Sequence, residues 1–379
     1  MDHFPGRLGI QQRVLPVYRA VFFDELSAAC EGGLAVFAGK PRADEAIPTI
    51  AGLANAQVVT GRNLHFFHVS SPWYFLWQAG LVNWLEAWDP DALIVEANPR
   101  YLSTHRAMRW MKTRGKPVIG WGLGAQPIIN GSSPLTNMIR RALRNSRQRF
   151  LRSLDGVIAY SRRGAREYLE EGVPAERIFV ATNAAVPRPT RPKPERQPHF
   201  VDQPKVLFVG RLQARKRVDN LLLACSRLPE NIRPRLWIVG DGPEREKLHR
   251  MAQATYPAAE FPGALRGDDL EHYFSRADLF VLPGTGGLAV QEAMSFALPV
   301  IAAEGDGTQE DLVRPGNGWR IPPGDIEALE SALKEALSDV GRLRKMGVES
   351  FRIVKDEANT QEMVRAFVKA LNSIVSKPG

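Results

Sequence analysis

Cysteine is nearly absent from this 379-residue chain, with only Cys30 and Cys225 present and far apart in sequence. That excludes a cysteine-rich metal site and a disulfide framework, and it points to a reducing compartment. No apolar run is long enough to span a bilayer. No dense cluster of Asp and His is present to bind a metal ion, so none is expected. Short repeats and low-complexity tracts are missing. The first residues carry Asp2, Pro5 and Arg7 ahead of any apolar run, so no secretory leader is expected and the cytoplasm is the default. Acidic residues are in deficit, leaving a net charge of +9. Such a surface favours an acidic partner: nucleic acid, anionic lipid or a phosphorylated small molecule.

What the chain does have is an alternation of short apolar runs and helical stretches, given twice. In the first half the runs 8–14, 34–38, 64–69, 92–95, 117–121, 156–160 and 178–181 read as strands. They are rich in β-branched residues and do not alternate, as expected of parallel strands covered on both faces. A proline-rich, basic stretch at 186–204 reads as an extended linker. A second series follows at 206–209, 236–239, 259–261, 279–282, 300–302 and 318–321. The expectation is α/β: an N-terminal doubly wound domain over 1–185, the linker, a C-terminal one over 205–355, and a last helix within 356–379 returning to the first domain.

The run 282–294, Leu-Pro-Gly-Thr-Gly-Gly-Leu-Ala-Val-Gln-Glu-Ala-Met, carries the most chemistry. A buried strand ends at Leu282, a Gly/Thr turn follows, and a helix opens near Leu288. Gly286 and Gly287 let backbone N–H groups approach a ligand, and the helix start adds the positive end of its dipole. Glu292, one turn in, is placed to reach sugar hydroxyls. Taken alone, the glycines serve an ordinary strand–turn–helix joint equally well. The first strand of the second half runs into Gly210-Arg211-Leu212, with Lys216 between Arg215 and Arg217. Arg and Lys at a strand's carboxyl end suit phosphate. For Arg215 and Arg217 a solvated basic loop is the simpler reading.

Together, Val209-Gly210-Arg211-Leu212 with Lys216 and Asp219, Ile238 to Pro243 with Asp241, Ala277 to Pro283, Gly286-Gly287-Leu288 with Glu292-Ala293-Met294, Leu298 to Ile301 and Gly316-Asn317-Gly318 resemble glycosyltransferase family 4. The blocks keep the family's order and spacing over nearly all of the second half. The first half matches less, through Tyr160-Ser161 and Asn183, and the opening Gln12 to Phe23 looks like bacterial polysaccharide-assembly members. The resemblance implies a GT-B fold, two Rossmann-like domains facing a central cleft. It implies transfer of a sugar, with retained configuration, from a nucleotide diphosphate donor linked to UDP or GDP, with no cofactor and no metal. Arg211 and Lys216 match the diphosphate positions, Glu292 the ribose position, and Gly286, Gly287 and Leu288 the backbone meeting phosphate and sugar. Gly210 and Asp241 fall in donor-side blocks, and the loop at Ala264 and Leu265 matches the base pocket. Fixed cations and backbone N–H groups there stabilise charge growing on the leaving diphosphate.

Two departures stand out. The family commonly has a second glutamate eight positions before the Glu292 equivalent, where this chain has Gly284. Many relatives carry a histidine in a first-domain loop, where this chain has Trp121-Gly122-Leu123-Gly124. His65 and His68 end another strand and read as structural or as substitutes. On the acceptor side, Glu96, Asn98 and Arg100 follow the strand 92–95, with Glu96 also a candidate base. Arg13, Tyr18 and Arg19 in the first strand–helix loop and Gly122 complete that set. For these, loop polar groups satisfying the backbone is an equal reading.

Two stretches bear on partners. Arg140, Arg141, Arg144, Arg147, Arg149 and Arg152 crowd one predicted helix, which suits either an anionic membrane or plain solvation. Trp73, Trp77, Trp84 and Trp88 recur at roughly helical spacing, which predicts a buried helix face ahead of an interfacial patch. The expected partners are a nucleotide sugar and a glycan or lipid-linked acceptor, with peripheral association at the inner face of the cell membrane. The basic residues form no recognised nucleic-acid motif, so no nucleic acid is expected. A nucleotide-sugar-binding protein with weak turnover is the alternative, prompted by Gly284 and Leu123.

Overall fold

A parallel neighbour is reached only through a crossover, so apolar runs spaced by helices build parallel sheets. A computed structural model of the chain describes residues 3–42, 45, 47–68, 71, 73–125 and 134–375. Contacts divide it into two compact units, Met1–Ala185 with Thr360–Gly379, and Val186–Asn359.

The first unit holds β1 (Leu8–Val14), β2 (Leu34–Gly39), β3 (Gln57–Thr60), β4 (Arg62–Phe66), β5 (Phe75–Ala79), β6 (Ala92–Glu96), β7 (Val118–Gly122), β8 (Gly156–Ala159) and β9 (Ile178–Val180). Seven of these make one sheet in the order β3-β2-β1-β6-β7-β8-β9, every pair parallel. The winding reverses between β1 and β6, which makes that gap the topological switch point. β4 and β5 form a separate antiparallel hairpin. The last helix, Thr360–Val375, belongs to this unit's core. Its Phe367 ring lies 5.0 Å from those of Phe22 and Trp121.

The second unit holds β10 (Lys205–Val209), β11 (Arg235–Val239), β12 (Ala259–Gly263), β13 (Leu279–Leu282), β14 (Val300–Ala303) and β15 (Gly318–Ile321). Their order is β12-β11-β10-β13-β14-β15, again all parallel. Here the switch point falls between β10 and β13. Val206, Leu207 and Phe208 are all fully buried, as a strand covered on both faces requires. The proline-rich stretch is fastened to this unit by Arg196. Its guanidinium donates to the carbonyls of Phe274 (3.0 Å), Ala277 (2.9 Å) and Phe296 (2.7 Å). These lie at the carboxyl ends of two helices, where a cation offsets the dipole.

Three features differ from the sequence reading. β3 and β5 go unpredicted, and the run expected as a parallel strand at 64–69 is instead β4 of the hairpin, its residue 69 lying outside the described residues. β3 is an edge strand with exposed ends, so its hydrophobic signal is weak. The four tryptophans do not share one helix. Trp77 sits in β5, Gly80 turns the chain at φ 87°, and only Trp84 and Trp88 lie in the helix Leu81–Trp88. Trp73 is exposed at the hairpin turn.

Candidate functional site

The second unit's switch point is built from loops that touch backbone to backbone. After β10 comes Gly210-Arg211-Leu212, and after β11 comes Gly240-Asp241-Gly242. Leu212 N–H donates to the Asp241 carbonyl at 2.9 Å. Gly240 takes a φ of 145°, and a Cβ on it would lie 1.9 Å from the Gly210 carbonyl oxygen. The turn after β13 closes on the same place. Thr285 N–H donates to the Arg215 carbonyl at 3.0 Å, and Lys216 Nζ donates to the Thr285 carbonyl at 2.7 Å. Lys216 therefore reaches from the β10 loop to the β13 turn across the switch point.

That approach accounts for Gly284. A Cβ there would stand 2.2 Å from the Arg215 carbonyl oxygen and 2.5 Å from the Lys216 carbonyl carbon. A glutamate has no room at 284 while the Lys216 loop keeps this path. Gln309 Nε2 donates to the Gly286 carbonyl at 2.8 Å and steadies the turn. The helix Leu288–Ser295 opens directly after it, and no side chain caps its start. Uncapped N–H groups at a helix start favour an anion.

The charges follow the same logic. Burial, and then the charge of Arg215, pull the Lys216 pKa down to about 8. No carboxylate forms an ion pair with Lys216 among the described residues, so an anion is its natural complement. Arg211 lies exposed on the same loop. Burial, and then the charge of Glu271, push the Glu292 carboxyl above its ordinary range. Its carboxylate accepts no hydrogen bond among the described residues, a state suited to hydroxyl donors. Asp241 and Leu265 follow the neighbouring strands β11 and β12. Asp241 accepts from Gly242 N–H at 2.7 Å, and Leu265 is half-buried against the core. No three His, Cys, Asp or Glu side chains group as a metal site among the described residues.

In the first unit, Glu96, Asn98, Arg100 and Gly122 line one cavity of about 330 Å³, with Trp121 and Tyr160 as aromatic walls. It opens at the carboxyl ends of β6 and β7. The Glu96 carboxylate accepts the backbone N–H of Arg13 and the Tyr101 hydroxyl. Burial raises its pKa, against the pull of Arg13 and Tyr101. Asn98 Oδ1 accepts from Arg100 N–H at 3.1 Å and shapes that loop.

The other acceptor-side candidates lie elsewhere. Arg13 turns its guanidinium to both Glu45 oxygens at 2.8 Å. Arg19 is 3% exposed, 4.8 Å from the Trp121 ring and 5.5 Å from the Tyr160 ring. Its Nη2 donates to Asn183 Oδ1. It braces the cavity wall from behind, because its charge is satisfied by aromatic faces and an amide. Tyr18 sits at the surface. His65 Nδ1 bonds the Tyr74 hydroxyl at 2.8 Å, away from the cavity. His68 is exposed at the hairpin turn. Sequence reasoning missed Tyr101, which holds Glu96. Nothing in its spacing marks it, since it meets Glu96 only through the fold.

Two doubly wound parallel sheets, one with a glycine turn and a bridging lysine at its switch point, define the GT-B class of fold. The model for glycosyl transferases group 1 matches residues 190–351, and that for glycosyltransferase family 4 matches residues 34–187. The chain belongs to this glycosyltransferase family. It is 35% identical over 144 residues to sulfoquinovosyl transferase SQD2 of Arabidopsis thaliana, covering 36% of this chain and 27% of that protein. It is 37% identical over 156 residues to a GDP-mannose-dependent alpha-mannosyltransferase of Mycolicibacterium smegmatis, covering 40% and 39%. The matched part thus spans well under half of either relative. Among solved structures, the lipopolysaccharide outer core galactosyltransferase WaaB superposes with a TM-score of 0.67 at 19% identity, over 97% of this chain and 99% of that one. At that identity the likeness concerns the fold.

Proposed function

We propose that this protein is a retaining hexosyltransferase. It moves a sugar from a UDP- or GDP-linked donor to a lipid-linked or oligosaccharide acceptor in cell-surface polysaccharide or glycolipid synthesis. The observation that carries the reading is the Lys216–Thr285 bridge, which puts an uncompensated cation against a glycine turn and a helix start. The donor diphosphate lies there, with Arg211 beside it, the ribose on Glu292 and the base by Asp241 and Leu265. As the bond between the anomeric carbon and the diphosphate oxygen breaks, negative charge grows on that oxygen. Lys216, Arg211 and the N–H groups of Gly287 and Leu288 stabilise it, without a metal. The first-unit cavity takes the acceptor, and Glu96 receives the proton of its attacking hydroxyl. The relatives' names support a nucleotide-sugar donor and a glycan product.

The helix Pro134–Arg152 supports peripheral attachment to an anionic membrane, because Arg140, Arg141 and Arg144 are exposed on it. No described helix is long and apolar enough to cross a membrane.

A thermal-shift screen with UDP, GDP and ADP tests the donor site, since a ligand of the folded state raises Tm by mass action. No shift with any of them sinks the assignment. A second reading, binding with little turnover, rests on Gly284. A nucleotide that binds while the sugar nucleotide undergoes no hydrolysis or transfer favours that second reading.

A further inference from the structure

The second unit holds a cavity that neither candidate site uses. Its volume is about 300 Å³, at the small end of the range for ligand sites. Three cations line it: Lys193 and Arg196 from the proline-rich stretch, and Arg344 from the helix Val340–Asp356. Pro299, Leu343 and Val348 make its apolar wall. Glu195 lines it too, but it is exposed and forms no ion pair with any of the three cations among the described residues.

Holding the chain in place accounts for only part of this charge. Arg196 donates to the carbonyls of Phe274, Ala277, Phe296 and Ala297, which are dipoles and not counter-charges. The buried acid of the group is Asp278, which accepts from Arg344 Nη2 at 2.7 Å. Arg344 Nε donates to the Gln197 carbonyl at 2.9 Å, and the guanidinium lies 5.6 Å from the Phe200 ring. Arg344 Nη1 is buried and has no hydrogen-bond partner among the described residues. Two neighbouring guanidiniums therefore share one buried carboxylate. Burial, and then the repulsion of Arg344, pull the Arg196 pKa down to about 10. A charged donor buried without an acceptor costs free energy that an oxyanion recovers.

The floor of the cavity is already shaped. Ala297 is held at φ 54°, a left-handed conformation that costs energy in a residue with a Cβ. Arg196 Nη1 donates to its carbonyl at 3.2 Å, and a Cβ on Gly347 would stand 2.2 Å from that same oxygen. A preformed site loses little to ordering when a ligand enters. The helix Leu288–Ser295 ends beside Ala297, and Arg196 on its last carbonyls offsets the dipole that would otherwise repel an anion.

We propose that this cavity binds a small organic anion, a phosphate or carboxylate group carried on an apolar body. The acidic group meets Lys193 and Arg344, and the body lies against Pro299, Leu343 and Val348. The inference depends neither on the transfer reaction nor on the donor site.

The test is calorimetric titration of the full chain with phenyl phosphate, benzoate, inorganic phosphate and phenol. Each is run on the parent, on Arg211→Ala/Lys216→Ala, which removes the donor-side cations, and on Lys193→Gln and Val348→Glu. Lys193 and Val348 are exposed, and unchanged melting temperatures certify the fold. Phenyl phosphate or benzoate is expected to bind the parent and to keep binding the donor-side variant; the tighter of the two identifies the acidic group. Val348→Glu sets a carboxylate into the wall and is expected to lower that affinity at least about tenfold. Lys193→Gln is expected to lower it roughly two- to fivefold. Four results overturn the proposal. No binding of either organic anion tighter than about 1 mM means that the cavity takes none. Affinity unchanged in Val348→Glu places the binding elsewhere, whatever the donor-side variant does. Inorganic phosphate binding as tightly as phenyl phosphate means that the apolar wall contributes nothing. Phenol binding as tightly as the anions means the same of the cations.

Discussion

The two switch points have the same topology and opposite electrostatics. In the first unit the charged groups beside the gap between β1 and β6 already have partners: Glu96 takes the Arg13 N–H and the Tyr101 hydroxyl, and the Arg13 side chain meets Glu45. In the second unit the gap between β10 and β13 holds Lys216, whose side chain has a single carbonyl as partner among the described residues. A satisfied network rigidifies, whereas a cation without a counter-charge waits for a ligand. One fold can therefore carry a hydrogen-bonded carboxylate at one switch point and, as proposed above, a phosphate seat at the other, decided by a few side chains.

Four expected outcomes bear on that contrast. The largest concerns Lys216. Lys216→Ala is expected to lower kcat and kcat/KM together by a hundredfold or more, by analogy with losing an oxyanion donor at roughly 2.7–4 kcal/mol. A raised KM at the parent kcat shows Lys216 to be a uniform binding contact only. Next, Arg13→Met leaves a partly buried Glu45 with the Arg42 backbone N–H as its partner, and urea unfolding is expected to show a loss of about 2–3 kcal/mol. An unchanged midpoint means the first switch point is not a stabilising network. Glu292→Ala is expected to weaken nucleotide diphosphate binding by roughly 1.5–3 kcal/mol with the fold intact, measured by calorimetry. Equal affinity removes Glu292 from the donor site.

The smallest effect is one of pH. Lys216 binds its proton up to about pH 8 in the folded chain, against 10.5 for an ordinary lysine. Nucleotide affinity is expected to fall as pH rises through about 8, by less than about tenfold per unit, with proton uptake on binding above that pH. The stability of the free chain moves the other way. Between pH 8 and 10.5 the unfolded state holds more protons at this residue, so its contribution to stability increases with pH. Affinity that is flat from pH 7 to 9.5 means the diphosphate does not touch Lys216.

Much of this was legible in the sequence, and the gaps have physical causes. The strand at 206–209, the turn after Leu282 and the helix at Leu288 are local, so pattern and glycine placement reveal them. Glu96, Asn98, Arg100 and Gly122 were expected on one side of the fold, and they share a cavity because each ends or follows a strand of the same parallel sheet. Arg13 and Arg19, expected on the acceptor side, turn to Glu45 and to Asn183 with the Trp121 ring. A guanidinium at a strand end looks the same in sequence whether it faces a substrate, Glu45 or the Trp121 ring. The tryptophan run misled because helical spacing over 73–88 is also what a strand, a glycine turn and a short helix produce. Gly284 read as a missing glutamate, and only the path of the Lys216 loop shows why glycine stands there.

The return of the last helix has a consequence for how the chain is made. The second unit is continuous, so it has all its residues once Asn359 is synthesised. The first unit does not, because Phe22 and Trp121 pack on Phe367. The unit that leaves the ribosome first closes its core last. At roughly 5–20 residues per second, the wait from residue 186 to residue 371 is about 10–40 s. Throughout that interval the groove for the last helix stays open, lined by Phe22, Phe23 and Trp121, and a chaperone that shields apolar surface has its clearest opportunity there.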